Sequence, residues 1–424
     1  MPPSSISAAM VDNDSDWSGQ VVRISPASYR SKRPLMHRQL ITALICIFLS
    51  PIINPLTAVT LEVGPNKTYS VPSQASAVAR DGDTIRITAG TYPGDVCYWR
   101  ASNLTITGVG GFAHLASAGA VAGGKGIWVV TGNSTTIENI EFSGAACPDL
   151  NGAGIRLEGS GLTVRGCFFH HNQDGILANA GKDSDVLIEH SEFAHNGAGD
   201  GYSHNLYIGN VRTLTFRYNY SHHAKIGHCL KSRAQNNYII ANRIMDEDDG
   251  TSSYTIDLPN GGLSFLIGNL IQQGPHSENP GIISVAAEGG TNAIQRLYLI
   301  NNTIVNDGTA KGIFVNIGKA TTLSRAENNI LLGPGTAFNV MPTVSAHNLI
   351  SINDPGLINR AAYHYRLRPG SIAINAGTDL GSADGYALLP LRQYVHPHSD
   401  EARSVGKSAI DIGAYEFTAS LSKP

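Results

Sequence analysis

The chain is short of charge, of tryptophan and of cysteine. Only 15% of its 424 residues are charged and the formal net charge is −3, so no chain-wide basic field exists to hold nucleic acid or an anionic membrane surface. Any polyanion has to be gripped by local arginines and lysines. Five cysteines occur and no two form a CxxC pair, which removes the usual zinc-site spacing. In an oxidising compartment Cys97 and Cys147 could bridge, whereas Cys167 reads as a small buried apolar residue. No apolar run reaches the ~20 residues of a membrane-spanning helix. What is abundant is Gly, at 46 residues, with many Asn, Thr, Ile and Val. Gly and Asn tolerate positive φ and β-branched side chains suit a pleated surface, so many short strands with tight turns are expected and helix-rich architectures are disfavoured.

Residues 1–58 differ from the rest. A polar stretch with Arg30, Lys32, Arg33 and Arg38 precedes an apolar run from Leu40 to Ile53, which ends in the small residues Thr57 and Ala58. Basic, apolar and small in that order is the pattern of an export signal, and Met36 would give it a conventional short basic region. Cleavage near Ala58 and a secreted or periplasmic destination are expected. An uncleaved segment would instead tether the protein to a membrane.

Internal repetition sets the architecture. The segments beginning at Gly166, His190, Tyr218, Ala241, Gly268, Asn301 and Asn328 each pair a turn residue with a short strand, at steps of 23 to 33 residues. A second strand follows in each repeat, as in 154–157, 175–178, 205–208, 229–232, 255–258, 282–285 and 313–316, and a third opens the next. Three short strands per repeat with alternating inward apolar residues describe an all-β, single-stranded right-handed parallel β-helix of about ten coils over residues 59–417, with a tail at 418–424. Stacked coils place Asn219, Asn242, Asn269, Asn302 and Asn329 above one another. There their amides bond along the ladder and to the turn backbone, and Asn also accepts left-handed turn geometry, so they are structural.

Two stretches carry a family resemblance. Asp81-Gly82-Asp83-Thr84-Ile85 with Ala89-Gly90-Thr91-Tyr92 resembles the first coil of pectate-lyase-like proteins. Tyr365 to Ser371, Ala373 to Gly377 and Asp411 to Phe417 are similar to the terminal coil of bacterial β-helix proteins. The resemblance spans about residues 60–417 and speaks to fold more than to activity, because this superfamily hosts lyases, hydrolases, epimerases and non-catalytic binders.

Aligning the second strands on their apolar members gives an outward row of Arg156, Leu177, Tyr207, Lys231, Asp257 and Ser284, about 4.8 Å apart. A parallel row two residues further on holds Glu158, Asn179, Gly209, Arg233 and Pro259. His204 and His228 stand at strand entrances. This set suits β-elimination on a uronic-acid sugar, which needs the carboxylate neutralised, a base for the weakly acidic C5 proton and an acid for the departing oxygen. A lysine beside an arginine can lose its proton more easily and serve as base. Arg233 or Arg156 can hold a carboxylate at two points, and Tyr207 or a histidine can act as acid. Arg156, Glu158, Asn179 and Asn205 are the expected substrate-binding neighbours, and Tyr98 and Trp128 offer stacking surfaces.

The motif Lys231-Ser232-Arg233-Ala234-Gln235-Asn236-Asn237, continuing to Asn242, resembles the Lys-Ser motif of β-helical alginate lyases and chondroitinase B. The resemblance implies that Lys231 is the base and that an arginine of a neighbouring strand assists as acid. No arginine matches on the following strand, where Asp257 stands. The calcium ligands of that family, acidic residues just before the lysine, are replaced by His222, His223 and His228, so no cofactor and no metal are expected. Asp246 to Asp249 read as a solvated acidic loop, and the pairs His170–His171 and His222–His223 as turn or surface residues. An acidic polysaccharide is the expected partner, for a monomeric lyase. A uronan C5-epimerase, a glycosidase needing two suitably spaced carboxylates and a non-catalytic glycan-binding solenoid are the other readings.

Overall fold

Alternating inward and outward side chains in mostly short strands leave each coil with an apolar face that only its neighbours can bury. The computed structural model describes residues 57–308, 311–405 and 409–419. The expected export signal lies outside them up to residue 56. The described residues form a right-handed parallel β-solenoid of about ten turns with almost no helix. No helix among them is long and apolar enough to cross a membrane.

Sheet I holds ten strands, from Cys97–Trp99 and Gly126–Val130 through Leu206–Ile208, Leu230–Ser232 and Ile256–Leu258 to Thr336–Phe338. Sheet II runs from Thr60–Val63 to Val344–Ala346, and sheet III from Ile140–Ser143 to Leu349–Ser351, the two being joined through the long strand Thr105–Ala116. All three ladders are parallel. Inward residues stack in register, as in Leu230 on Ile256 on Ile283 on Val315, all fully buried. Each such side chain stabilises the fold by about 1.5–3 kcal/mol. An aromatic stack, Trp128–Phe142–Phe169–Phe193, runs through the same core with ring centroids 4.8–5.0 Å apart. Trp128 is therefore a core residue and no stacking surface.

The asparagine ladder is present at every expected rung. The side-chain oxygens of Asn242, Asn269, Asn302 and Asn329 accept from the backbone N–H of Asn219, Asn242, Asn269 and Asn302 at 2.9–3.0 Å. Their geometry departs from expectation in one respect. The left-handed residue is the one before each ladder asparagine, namely Tyr218, Ala241, Gly268, Asn301 and Asn328, which turns the chain so that the asparagine points inward.

The solenoid stops earlier than the resemblance implies. Beyond Leu349–Ser351 the chain forms short antiparallel hairpins, including Leu357–Asn359 with His364–Leu367 and Arg392–Val395 with Ser399–Ala402. This segment folds back along the outside of sheets II and III instead of adding a coil. Outward apolar residues there, such as Met245, Leu270, Val305 and Leu332, pack with Leu357, Tyr365, Tyr394 and Ile412, and Phe265 and Tyr298 pack with Leu388. No residue of sheet I belongs to either of these clusters. The four described cysteines are buried free thiols, so Cys97 and Cys147 do not bridge.

Candidate active site

Sheet I places Arg156, Leu177, Tyr207, Lys231, Asp257 and Ser284 in one register. Three consecutive strands of this sheet are only three residues long, so each contributes one outward side chain: Tyr207, Lys231 or Asp257. The parallel row continues where the strands end, since the backbone N–H groups of Asn179, Gly209 and Arg233 still bond the coil before them. At Gly209 a Cβ would sit 2.7 Å from the backbone of Asn179 and Ala180. The position has to be bare, and the floor between Asn179 and Arg233 stays open. An open groove of about 530 Å³ runs here, lined among others by Arg156, Asn179, Tyr202, Tyr207, Lys231 and Arg233, a size within the range of small-ligand clefts.

Contacts within the row are dense. The Lys231 Nζ lies 3.6 Å from Asp257 Oδ2, and His228 Nε2 lies 3.5 Å from the same oxygen. Arg233 donates through Nε to the Tyr207 hydroxyl at 3.0 Å and through Nη1 to Asn260 Oδ1 at 2.6 Å, and its Nη2 pairs with Glu288 at 2.8 Å. The phenol of Tyr207 thus accepts from a guanidinium and keeps its own proton to donate. His204 and His228 stack at 4.6 Å. Both Nδ1 atoms accept backbone N–H groups, His204 from His228 at 3.0 Å and His228 from Tyr254 at 3.2 Å. Each neutral ring therefore carries its proton on Nε2, and that of His228 faces Asp257.

Burial governs the charges. It pushes the Asp257 carboxyl up to about 6, with Lys231 pulling the other way. His228 falls to about 3, through burial first and then the neighbouring Lys231 charge. His204 is lowered well below the usual imidazole range, by burial and then by His228, Lys231 and Arg233. Burial opposes the charge of Arg233, yet its hydrogen bonds to Glu288 and Tyr207 raise its pKa overall. The site therefore combines cations, one reluctant carboxylate and two neutral imidazoles.

Several expected neighbours sit elsewhere. Asn205 is fully buried, and its amide joins the interior turn, accepting from Asn196 and donating to the His222 carbonyl at 2.8 Å. It faces inward because it is the turn residue before the strand, so it is no substrate-binding group. Glu158 is held by Lys125, and Arg156 donates to Asn179 at 2.9 Å at one end of the groove. The acidic run is not uniformly solvated. Asp246 is fully buried, accepting from Ser252 and Ser277, and Glu247 pairs with Arg243 at 3.0 Å, because the run closes a turn of the solenoid.

Sequence reasoning missed Glu288, Asn260 and Asp174. The first two come from turns after neighbouring sheet I strands, where no periodic signal marks them. Asp174 lies beneath His204, accepting its backbone N–H at 2.8 Å, and burial pushes its carboxyl up to about 8. Calcium, which takes six to eight oxygen ligands, would find the Asp257 carboxylate beside the Lys231 ammonium and two imidazoles. The residues do not fit that ion.

With this geometry the fold is a right-handed parallel β-helix. Residues 91–230 match the family model described as "Right handed beta helix region". The structure is similar to that of pectate lyase Pel9A, with a TM-score of 0.58 at 15% identity, over 85% of this chain and 97% of that one. An alginate lyase from Paenibacillus sp. str. FPU-7 aligns with a TM-score of 0.41 at 16% identity, over 69% of this chain and 99% of that one. No curated protein matches the sequence.

Proposed function

We propose that the protein is an exported polysaccharide lyase that cleaves a uronate-containing glycan by β-elimination along the open groove of sheet I. One observation carries the reading: three consecutive coils set Tyr207, Lys231 and Asp257 at a single register with Arg233 hydrogen-bonded to Tyr207. The fold shared with pectate lyase Pel9A supports it. Export rests on the order of residues 30–58, with cleavage near Ala58.

In this reading the substrate carboxylate takes the place of the half-exposed Glu288 carboxylate on Arg233, a two-point guanidinium contact that stabilises charge developing at C5. Lys231, its proton first passed to Asp257 at its side, takes the C5 proton as a free amine. The C5–H electrons form the C4–C5 double bond, the C4–O4 bond breaks, and Tyr207 gives its proton to the departing oxygen. Solvent then returns a proton from Lys231 to Tyr207. Asp257, oriented by the His228 N–H, fixes Lys231 in line. Arg156 and Asn179 hold the adjoining sugar.

The test is a screen of the purified protein against polygalacturonate, alginate and chondroitin-type polymers. Each is followed by ultraviolet absorbance of the unsaturated product. New absorbance with shortening of the chains is expected. Shortening without absorbance would mean a hydrolase, and neither change would leave a binder or an epimerase.

A further inference from the structure

A second cluster of ionisable groups lies on another face, at the turns that follow sheet III. Three successive coils end there with a histidine in the left-handed region: His171, His195 and His223, at φ 55°, 56° and 51°. The coil repeat stacks them, with ring centroids 5.3 Å apart between His171 and His195 and 4.8 Å between His195 and His223. His222 joins from the strand end, 4.8 Å from the ring of His223. One ring nitrogen from each of His195, His222 and His223 lies within 4.8 Å of the other two. The hollow beside them is also lined by Lys225, Asp249 and Thr251.

Hydrogen bonding gives these rings a direction. His223 Nε2 lies 2.9 Å from Asp249 Oδ1 and His222 Nε2 lies 3.3 Å from Glu192 Oε1. A carboxylate fixes the proton of an imidazole on the nitrogen it faces, and carboxylate–histidine pairs of this kind orient the opposite nitrogen toward a metal. Both Nδ1 atoms then present lone pairs to each other, 2.6 Å apart. Two lone pairs at that distance repel unless a cation or an extra proton stands between them. His195 is exposed, and among the described residues its ring makes ring contacts and no hydrogen bond.

We propose that His195, His222 and His223 bind one divalent transition-metal ion of the zinc class, with Glu192 and Asp249 orienting two of the rings. Three imidazole nitrogens at ~2.0–2.1 Å make a three-histidine site whose fourth position stays open, here toward the hollow. A tetrahedral ion at those bond lengths needs nitrogens about 3.3 Å apart, so small rotations of the His222 and His223 side chains open their contact while His195 swings in. Calcium and magnesium, which prefer oxygen ligands, are excluded by the donor set.

The full-length protein, stripped with a chelator, would be titrated with Co(II), read by its visible ligand-field bands, and with Zn(II), read by calorimetry. One ion per chain is expected, with a rise in Tm on adding Zn(II). His195→Ala, a change at an exposed side chain, should weaken binding by ~100-fold or more and abolish the Tm rise. His223→Ala should do the same. His114→Ala, in the separate His114–Glu141–His170 group, should leave the titration unchanged. Absence of stoichiometric binding would overturn the proposal, because a shared proton would then be what joins the two Nδ1 atoms. Unchanged affinity in folded His195→Ala, or equal loss in His114→Ala, would also overturn it.

Discussion

Asp257 is a carboxylate that the fold holds against its own ionisation. Its folded pKa, about 6, stands above the ordinary 3.8, so the folded chain binds this proton more tightly than the unfolded one. Its contribution to stability is therefore fully present below about pH 4 and lost as pH rises through 6. Compared with Asp257→Asn, the wild type should lose ground by about 1–3 kcal/mol between pH 4 and pH 7. Thermal melts of both proteins across that range check it; a constant difference would mean that Asp257 is not strained.

On an outward row a lysine such as Lys231 ordinarily behaves as a surface residue whose removal leaves folding nearly unchanged. Its 3.6 Å contact with buried Asp257 revises that. Lys231→Ala should cost about 1–3 kcal/mol at pH 7, as an unpaired buried carboxylate does, and Lys231→Ala/Asp257→Asn should recover most of it. Turnover should stay down by ~10²–10⁴-fold in both variants, the usual contribution of a positioned general base. Chemical denaturation beside initial rates separates the two effects. Recovery of activity in the double variant would assign the proton transfer elsewhere.

At the level of the elements, what was legible in the sequence followed from periodicity. Period two along a strand and a repeat of one coil fix which residues share a row, and that is why Tyr207, Lys231 and Asp257 could be aligned without coordinates. Turn residues escape such reasoning. Asn205 begins a strand in the alignment yet points into the core, and Glu288 reaches Arg233 from a turn with no pattern to announce it. His195 could not be joined to His222 and His223 for the same reason. The ladder itself gives a test. Asn269 donates to the Ile239 carbonyl at 2.7 Å and to Asn302 at 3.0 Å, and accepts from the Asn242 N–H at 3.0 Å. Asn269→Ala strands a buried N–H and a buried carbonyl, at about 1–3 kcal/mol each, and should lower Tm clearly. Ile256→Asp, which buries a lone carboxylate between coils, should prevent folding. A wild-type melt for either would contradict the coil register.

Over the whole molecule, the segment after residue 351 packs on apolar outer residues of sheets II and III and on none of sheet I. Truncation after Ser351 should expose Met245, Leu270, Val305, Phe265 and Tyr298, and the product should self-associate, as large apolar patches do. Light scattering reads this, and a monodisperse monomer would contradict the packing. The same cover explains why a glycan groove would lie on sheet I and nowhere on the other two. The most direct measurement of that claim is the ultraviolet absorbance of unsaturated product when the purified protein meets each uronate polymer. The account predicts a steady rise on at least one polymer that falls by ~10²–10⁴-fold in Lys231→Ala. A rise that Lys231→Ala leaves undiminished, or no rise on any uronate polymer, would contradict it.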